Sequence, residues 1–471
     1  MKNHLLLQTL EKLSKKEWTQ LEQYLKSPFF QVSTNQVRLL AYLKSSDFST
    51  NPFNKIDLFK QIFGSKTPYN DHKVRLLMSE LLKSIEGFIG HQKELGIKGQ
   101  VQLAKFYRKN GLEKHFNRIH RKATNQLEQS PYRNHEYFTD KNLLDWEQFE
   151  MTSSKKRDVG VNLQELGQNF DIAYFSAKLR QACFLRAQQA FYAIEYDFDW
   201  VEQIIAFIQQ KDWQKIPAIA LYYTAYQLSI KPNAEPSFQN LKQQILEYGD
   251  LFPPEEIQDI YLLAINFCIK KMNNGEQAYI KENLNLYKKG LEIGCFLDKG
   301  NLSKFTFANI VALGLITKDF EWTEHFIQTY KNKLHKSFRN STYSLNMARL
   351  TYVKDKNYDA ALSYLQKVSD KDLLNTLNAK ILQLRIYWET KAFSLLESHL
   401  EAMANFIRRR AIIGYHKENF LNIIKYTKRL LKVNFYDKSA VKNLKAAIQN
   451  EKVISEKKWL IEQLNPSATE K

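Results

Sequence analysis

Two stretches in the carboxyl-terminal third repeat the same apolar positions at a fixed spacing, and they constrain the fold more than any other feature. Residues 346–368 contain two segments whose apolar side chains recur every three or four positions, separated by a polar run at 354–357. This pattern predicts two helices joined by a short turn. The equivalent residues 35 positions apart are Tyr352 and Tyr387, Tyr358 and Phe393, Ala361 and Leu396, Leu365 and Leu400, and Val368 and Met403.

The sequence N-Y-D-A-A-L-S-Y-L-Q-K-V at 357–368 resembles the middle of a tetratricopeptide repeat. That family repeats two helices every ~34 residues. The resemblance covers about 65 residues and has departures, since Arg349 and Leu384 replace the small residue of the first helix and Leu373 replaces the closing proline. A second set at similar offsets lies near the other end, at Leu103, Ala104, Tyr107, Gly111, Phe116 and Ala123. An ordinary helical bundle with coincidental spacing is the alternative.

Length and composition favour an extended array of helices. The chain has 471 residues, whereas single compact cores stop growing at roughly 250–300 residues. A solenoid escapes that limit because each repeat packs only on its neighbours. No proline occurs between Pro254 and Pro466, as uninterrupted helices require. We therefore predict an all-α fold with almost no strand, built as an α-solenoid of stacked helix pairs. We expect an N-terminal helical domain at 1–95, repeats at 96–465 and a disordered tail at 466–471.

The N-terminal domain carries clear helix start and stop signals. Ser14 and Glu17 form a predicted capping box, Gly64 ends a helix, and Asn70 or Asp71 begins a longer one. The buried face of that longer helix is predicted to carry Val74, Leu77, Met78, Leu81, Ile85 and Phe88. A helix–turn–helix DNA reader would place its exposed residues in a major groove. The loop at 64–70 is longer than such turns require, which favours a structural or capping domain over a DNA reader. The exposed residues are His72, Lys73, Arg75, Ser79 and Lys83.

The net charge of +19 is concentrated at the two ends. Residues 1–130 hold 22 Lys/Arg and 11 Asp/Glu, and residues 341–471 hold 23 and 13, while the middle is nearly neutral. A basic surface favours acidic partners such as nucleic acid, an anionic membrane face or an acidic protein. Solubility alone explains the same charge.

The cysteines and the longest apolar stretch bear on the cellular compartment. The three cysteines are far apart and lie in apolar helical contexts, which favours buried thiols over a disulfide framework. The longest uncharged apolar stretch, at 216–230, has 15 residues, short of the ~18 that a membrane helix needs. We expect a cytoplasmic protein without a transmembrane segment. The oligomeric state is not predicted.

No motif predicts catalysis, a metal or a cofactor. The run Gly64-Ser65-Lys66-Thr67 lacks the upstream glycine and the preceding strand of a phosphate-binding loop. Glu195, Asp197 and Asp199 alternate, but no glycine turn or distal glutamate completes a cation loop, so we expect turn roles. An active site assembled from distant residues is left open, and we expect a protein that is not an enzyme.

The resemblance to tetratricopeptide arrays implies a scaffold that binds a protein or peptide on the concave face formed by the first helices. Some members of that family clamp a terminal carboxylate with Lys and Asn, for which this chain offers few suitable residues. The residues predicted to face a partner are Asn346, Leu350, Asn378, Ile381, Arg385 and Trp388.

The alternative function is nucleic-acid association through a basic stripe on the last helices. Side chains at i, i+3, i+4 and i+7 share one helix face, and this spacing relates the first four members of the stripe. A terminal repeat needs a polar outer face for solubility, and such a face would carry the same basic stripe without binding nucleic acid. The stripe is Lys425, Lys428, Arg429, Lys432, Lys438, Lys442 and Lys445.

Overall fold

The fold is all-α, as predicted. The computed structural model describes residues 4–30, 32–45, 54–94, 96–153, 163–192, 194–231, 234–369, 372–409 and 415–464. Within these ranges it contains 23 α-helices and one short antiparallel strand pair. The predicted tail at 466–471 lies outside the described residues. Contacts divide the chain into two compact units, each of which is described separately.

The first unit comprises residues 1–182, 197–220 and 250–252. It contains the first eight helices, most of the ninth and all of the tenth. These are α1 (Leu5–Leu10), α2 (Lys15–Lys26), α3 (Thr34–Ser45), α4 (Lys55–Phe63), α5 (Asp71–Glu94), α6 (Ile97–Lys109), α7 (Glu113–Glu128), α8 (His135–Ser153), α9 (Leu163–Tyr192) and α10 (Val201–Gln210). Two 3₁₀ turns, Pro28–Phe30 and Trp213–Lys215, also belong to it.

Local signals place the N-terminal helices where the sequence predicts them. The Ser14 hydroxyl accepts a hydrogen bond from Glu17 N, and the Glu17 carboxylate accepts one from Ser14 N at 2.7 Å, which closes the capping box. Gly64 ends α4 with φ +91°, and the Asn70 side chain caps α5 by accepting from Lys73 N. All six predicted apolar residues of α5 are buried in one core shared by α1 to α5. The domain boundary near residue 95 stays a prediction.

The second unit comprises residues 183–196, 221–249 and 253–471. It contains most of α11 (Pro217–Ile230) and every later helix. These are α12 (Glu235–Tyr248), α13 (Pro254–Asn273), α14 (Ala278–Glu292), α15 (Lys304–Ile316), α16 (Phe320–Tyr330), α17 (Arg339–Lys354), α18 (Tyr358–Leu365), α19 (Leu373–Glu389), α20 (Phe393–Arg409), α21 (Tyr415–Lys432), α22 (Lys438–Asn450) and α23 (Lys457–Glu462). The 3₁₀ turn Lys331–Lys333 also belongs to this unit, and the turn Gly249–Leu251 is divided between the two units.

The described strand structure is a two-residue-per-strand hairpin, Leu297–Asp298 paired with Asn301–Leu302. Its two turn residues, Lys299 and Gly300, have φ +48° and +79°, the geometry of the tight turns that match strand twist. Leu302 is fully buried and pairs by a single bridge with Leu334. This hairpin joins α14 to α15 and leaves the helical class unchanged.

Several helical hairpins turn in the same way. The helix ends, one residue adopts a left-handed conformation, and the next helix begins two residues later. In the Schellman arrangement the following N–H bonds to the carbonyl five residues before it, as Ala392 N does to Tyr387 O at 2.9 Å. Lysine occupies the left-handed position in three consecutive hairpins, where glycine is usual. These positions are Lys318 (φ +58°), Lys356 (φ +52°) and Lys391 (φ +57°), and Gly111 (φ +68°) is equivalent in the α6–α7 hairpin.

The two repeat stretches pack against each other in chain order. The predicted break at 354–357 is confirmed, because α17 ends at Lys354 and α18 begins at Tyr358. One apolar cluster joins α17, α18 and α19, and it includes Tyr352, Ala361 and Ile386. Along the chain, α15 contacts α17 and α17 contacts α19, so the first helices of successive hairpins are neighbours. The solenoid as a whole, and the tetratricopeptide type of its repeats, stay predictions.

Candidate partner-binding site

The six residues predicted to face a partner differ in exposure. Asn346, Leu350 and Ile381 are buried, with 0%, 2% and 5% of their surfaces accessible, while Asn378 and Arg385 are half-buried. The Asn346 amide donates to Thr342 O at 2.8 Å, and its own oxygen has no hydrogen-bond partner in the described chain. The first three residues therefore pack inside the helix layer, and they do not form an open surface in this conformation.

Arg385 and Trp388 of α19 bind the end of the chain itself. The Arg385 guanidinium lies 3.2 Å from the Glu456 carboxylate, and the Trp388 indole N–H donates to Gln463 Oε1 at 3.0 Å. Arg385 also lies over the Trp459 ring at 5.7 Å. Two residues predicted from the sequence to contact a peptide thus contact a helix, and that helix is α23.

Glu389 is a third polar member of this arrangement, and the sequence prediction missed it. Its carboxylate accepts hydrogen bonds from the Trp459 indole at 3.2 Å and from the Tyr358 hydroxyl at 3.0 Å, and it also accepts one from Tyr352. Burial raises the pKa of the Tyr352 phenol, and the adjacent Glu389 carboxylate adds to the rise. We call Arg385, Trp388 and Glu389 of α19, together with Tyr352 of α17, the α19 site.

The chain segment on the α19 site, residues 451–464, packs through apolar side chains as well. Trp459, Leu460 and Leu464 are buried with at most 5% of their surfaces accessible, and they join the core of α19 to α22. Asn419 and Asn422 of α21 hold the start of the segment. The Asn419 amide oxygen accepts from Ser455 N at 2.7 Å, and the Asn422 amide donates to Val453 O at 3.0 Å. We call residues 451–464 the C-terminal segment; it contacts both α19 and α21.

Arg349 on α17 is influenced by the charges of both Glu456 and Arg385. Burial lowers the pKa of the Arg349 guanidinium; Glu456 opposes this effect and Arg385 adds to it. Within the described ranges Arg385 pairs with Glu456, while no carboxylate is found within ion-pair distance of Arg349. Glu456 therefore favours the charged form of Arg349 and pairs directly with Arg385. An anionic group that took the place of Glu456 would be stabilised by the Arg385 guanidinium in the same way.

The predicted basic stripe lies on exposed helix surfaces. Lys425 lies 3.7 Å from Glu451, but across the described ranges the other six residues of the stripe have no carboxylate partner. All seven side chains are exposed except that of Lys445, which is half-buried. Tyr436, in the turn between α21 and α22, is 97% exposed. This tyrosine is not among the residues predicted from the sequence, where its only local signal is an aromatic residue in a polar turn.

An aromatic cavity of about 380 Å³ lies in the first unit. Two of its lining residues, Trp200 and Tyr174, are 65% and 47% exposed. The lining offers no carboxylate, imidazole or thiol for acid–base or nucleophilic chemistry. Its residues are Tyr174, Phe175, Trp200, Gln203, Ile204 and Phe207.

Two of the alternating acidic residues, Asp197 and Asp199, have partners close to them. Asp197 accepts from Asp199 N at 2.9 Å, and Asp199 pairs with Lys178 at 3.3 Å. Among the described residues no cluster of three or more His, Cys, Asp or Glu side chains has an arrangement that suits a metal ion. Likewise, in the ranges given above, none of the helices combines the length and hydropathy of a membrane span.

Comparison with known proteins finds no match for this chain among family models, curated sequences or solved structures. Function is therefore inferred from the contacts of the described residues.

Proposed function

We propose that this chain is a non-enzymatic scaffold that binds a protein or peptide partner through the α19 site and the neighbouring surface of α17. The observation that carries the proposal is the way the α19 site holds a helix. Arg385, Trp388 and Glu389 each engage α23 or its caps by side-chain contacts. Laying an amphipathic helix against a helical surface is a recurrent mode of peptide recognition.

The arrangement of hairpins supports the same proposal. First helices that lie side by side present a continuous row of side chains, which is how tetratricopeptide-like arrays hold peptides. The shared left-handed turn keeps successive hairpins alike, so that α17 and α19 contribute equivalent positions to one surface. We place this activity in the cytoplasm, where three buried thiols suit a reducing environment.

Site-specific cross-linking tests the scaffold. A photoreactive residue at position 378, half-buried on α19, is expected to capture a partner in the native cell. The control is the same residue at position 395 on α20, where Leu395 is 51% exposed. Adducts specific to position 378 that disappear when Arg385→Ala is added support the proposal. Equal adducts at both positions, or none at 378, contradict it.

The second candidate function is nucleic-acid association, and one observation favours it. Tyr436 is 97% exposed and lies in the turn that joins the two helices of the basic stripe, an arrangement that combines a stacking ring with phosphate-binding charges. A labelled single strand titrated at low and at moderate salt tests this. Affinity that falls steeply with salt and weakens with Tyr436→Ala supports it, while an absence of binding at low salt removes it.

A further inference from the structure

We infer that the C-terminal segment is a built-in occupant of the α19 site, and that the partner is an acidic amphipathic helix that displaces it. The inference rests on the proposed scaffold function and names the chemistry of the partner. The segment reveals what the site recognises: a carboxylate, a tryptophan three residues later, and an amide seven residues after the carboxylate. These are Glu456, Trp459 and Gln463, which contact Arg385, Glu389 and Trp388.

The spacing of the three contacts places them on one side of a helix. Residues at i, i+3 and i+7 share one helical face, and α23 spans Lys457–Glu462 between Glu456 and Gln463. Leu460 and Leu464 extend the same side into the apolar core. The opposite side is solvated, as the Lys458 side chain is 92% exposed. A partner helix with this pattern would make the same contacts.

The segment has little structure of its own to hold it in place. α23 has six residues, whereas isolated helices shorter than ~12–15 residues are marginal in water. Its order therefore depends on the α19 site and on α21. Short segments whose order depends on contacts with other elements open at lower free energy than the long helices that hold them. Opening here leaves α19 and α20 in the core that they share with α21.

Charge identifies the partner as acidic. When the C-terminal segment leaves, Arg385 loses its ion pair with Glu456, while Glu389 stays hydrogen-bonded to Tyr352 and Tyr358. A neutral apolar helix would cover the Arg385 guanidinium without restoring that ion pair, which is unfavourable. A helix with a carboxylate at the position of Glu456 restores the ion pair with Arg385. Affinity is therefore expected to fall when that carboxylate is absent from the partner helix.

A peptide of residues 451–464 supplied in trans tests the inference. The chain is used in full, either as wild type or with Glu456→Ala and Trp459→Ala, which loosen its own segment. The labelled peptide is expected to bind the loosened chain at least ~10-fold more tightly than wild type, because the tethered copy competes at an effective concentration near ~1 mM. Adding Arg385→Ala to the loosened chain is expected to lower that affinity ~10-fold.

Two peptide variants provide the matched control. A peptide with Trp459→Ala is expected to lose binding, whereas one with Lys458→Ala is expected to bind like the parent, since that side chain faces solvent. Equal binding of both variants overturns the inference. So does a loosened chain that keeps its helical circular dichroism but fails to bind the parent peptide.

A milder full-length variant covers the case in which Trp459→Ala unfolds the chain. Glu456→Ala with Gln463→Ala removes two polar contacts and keeps the buried tryptophan, and it too is expected to bind the peptide more tightly than wild type does. Dimers that disappear on Arg385→Ala would show that a second copy of the chain is the occupant, which contradicts a separate partner. If the peptide fails but cross-links at position 378 persist, the scaffold stands and only the displacement is wrong.

Discussion

Gly314 lies at a close approach of α15 and α16, and its replacement by alanine tests that hairpin. A Cβ at Gly314 would overlap the Thr323 hydroxyl and lie 3.1 Å from Thr323 Cβ. Thr323 is fully buried and its hydroxyl donates to Asp319 O at 2.6 Å. The side chain therefore cannot rotate away without leaving a buried hydroxyl unpaired.

The change in the free energy of unfolding of Gly314→Ala has two unfavourable contributions and one favourable contribution. Overpacking a well-packed core costs about 1–3 kcal/mol, and an unpaired buried hydroxyl costs about 1–3 kcal/mol more. The intrinsic helix preference of alanine over glycine returns about 1 kcal/mol. We expect Gly314→Ala to lower the free energy of unfolding by about 3 kcal/mol.

Urea unfolding followed by circular dichroism and by tryptophan fluorescence measures the effect. The matched control is Gly167→Ala in α9, where a Cβ would meet no atom within 4 Å, so that only the helix preference remains and stability rises by about 1 kcal/mol. Thr323→Ala added to Gly314→Ala should recover part of the loss, since the two residues are in contact. If Gly314→Ala stabilises the chain as the control does, the close approach of α15 and α16 is refuted.

Three further predictions concern turns and titrating groups. Lys391→Gly is expected to raise the free energy of unfolding by about 0.5–1 kcal/mol, because a left-handed φ of +57° disfavours lysine. The control, Lys442→Gly inside α22, should lower that free energy by about 1 kcal/mol. Equal losses for both variants in denaturant titrations would contradict the turn geometry. Burial lowers the pKa of His399, whose Nε2 lies 2.8 Å from Lys380 O. Its stabilising contribution is therefore present above the unfolded-state pKa of about 6.5 and lost as the pH falls through the folded-state pKa. NMR titration checks that pKa, and His399→Gln should flatten the decline in stability below about pH 6.5. Burial raises the pKa of all three thiols, to about 12 for Cys268 and Cys295 and also upward for Cys183. These thiols should therefore resist alkylation at neutral pH until the chain unfolds. Fast labelling of the native protein would contradict this expectation.

Local signals in the sequence sufficed for much of the helical structure. The capping box at Ser14, the stop at Gly64 and the break before Tyr358 each depend on residues within a few positions of one another, and all three are confirmed. The periodicity of α5 predicted its buried residues correctly for the same reason. Such features are encoded by short-range hydrogen bonds and by the pitch of a helix.

Other features could not be predicted, because distant residues determine them. Arg385 and Glu456 are 71 residues apart, and helical periodicity says nothing about which helix will cover which. Asn346 was predicted to face a partner, yet neighbouring helices bury it completely. The left-handed lysines could not be predicted because glycine is the residue that usually marks this position after a helix. Their only signal is the aromatic residue two positions later, as at Phe320, Tyr358 and Phe393.

Hydrogen–deuterium exchange of the full-length wild-type chain tests the central claim most directly. If residues 451–464 are a displaceable occupant of the α19 site, their amides open without global unfolding and exchange at least ~10-fold faster than those of α19, Leu373–Glu389. Adding an acidic helix that carries the Glu456, Trp459 and Gln463 pattern should speed their exchange further while α19 stays protected. Exchange of residues 451–464 at the same rate as α19, unchanged by that helix, would contradict the account.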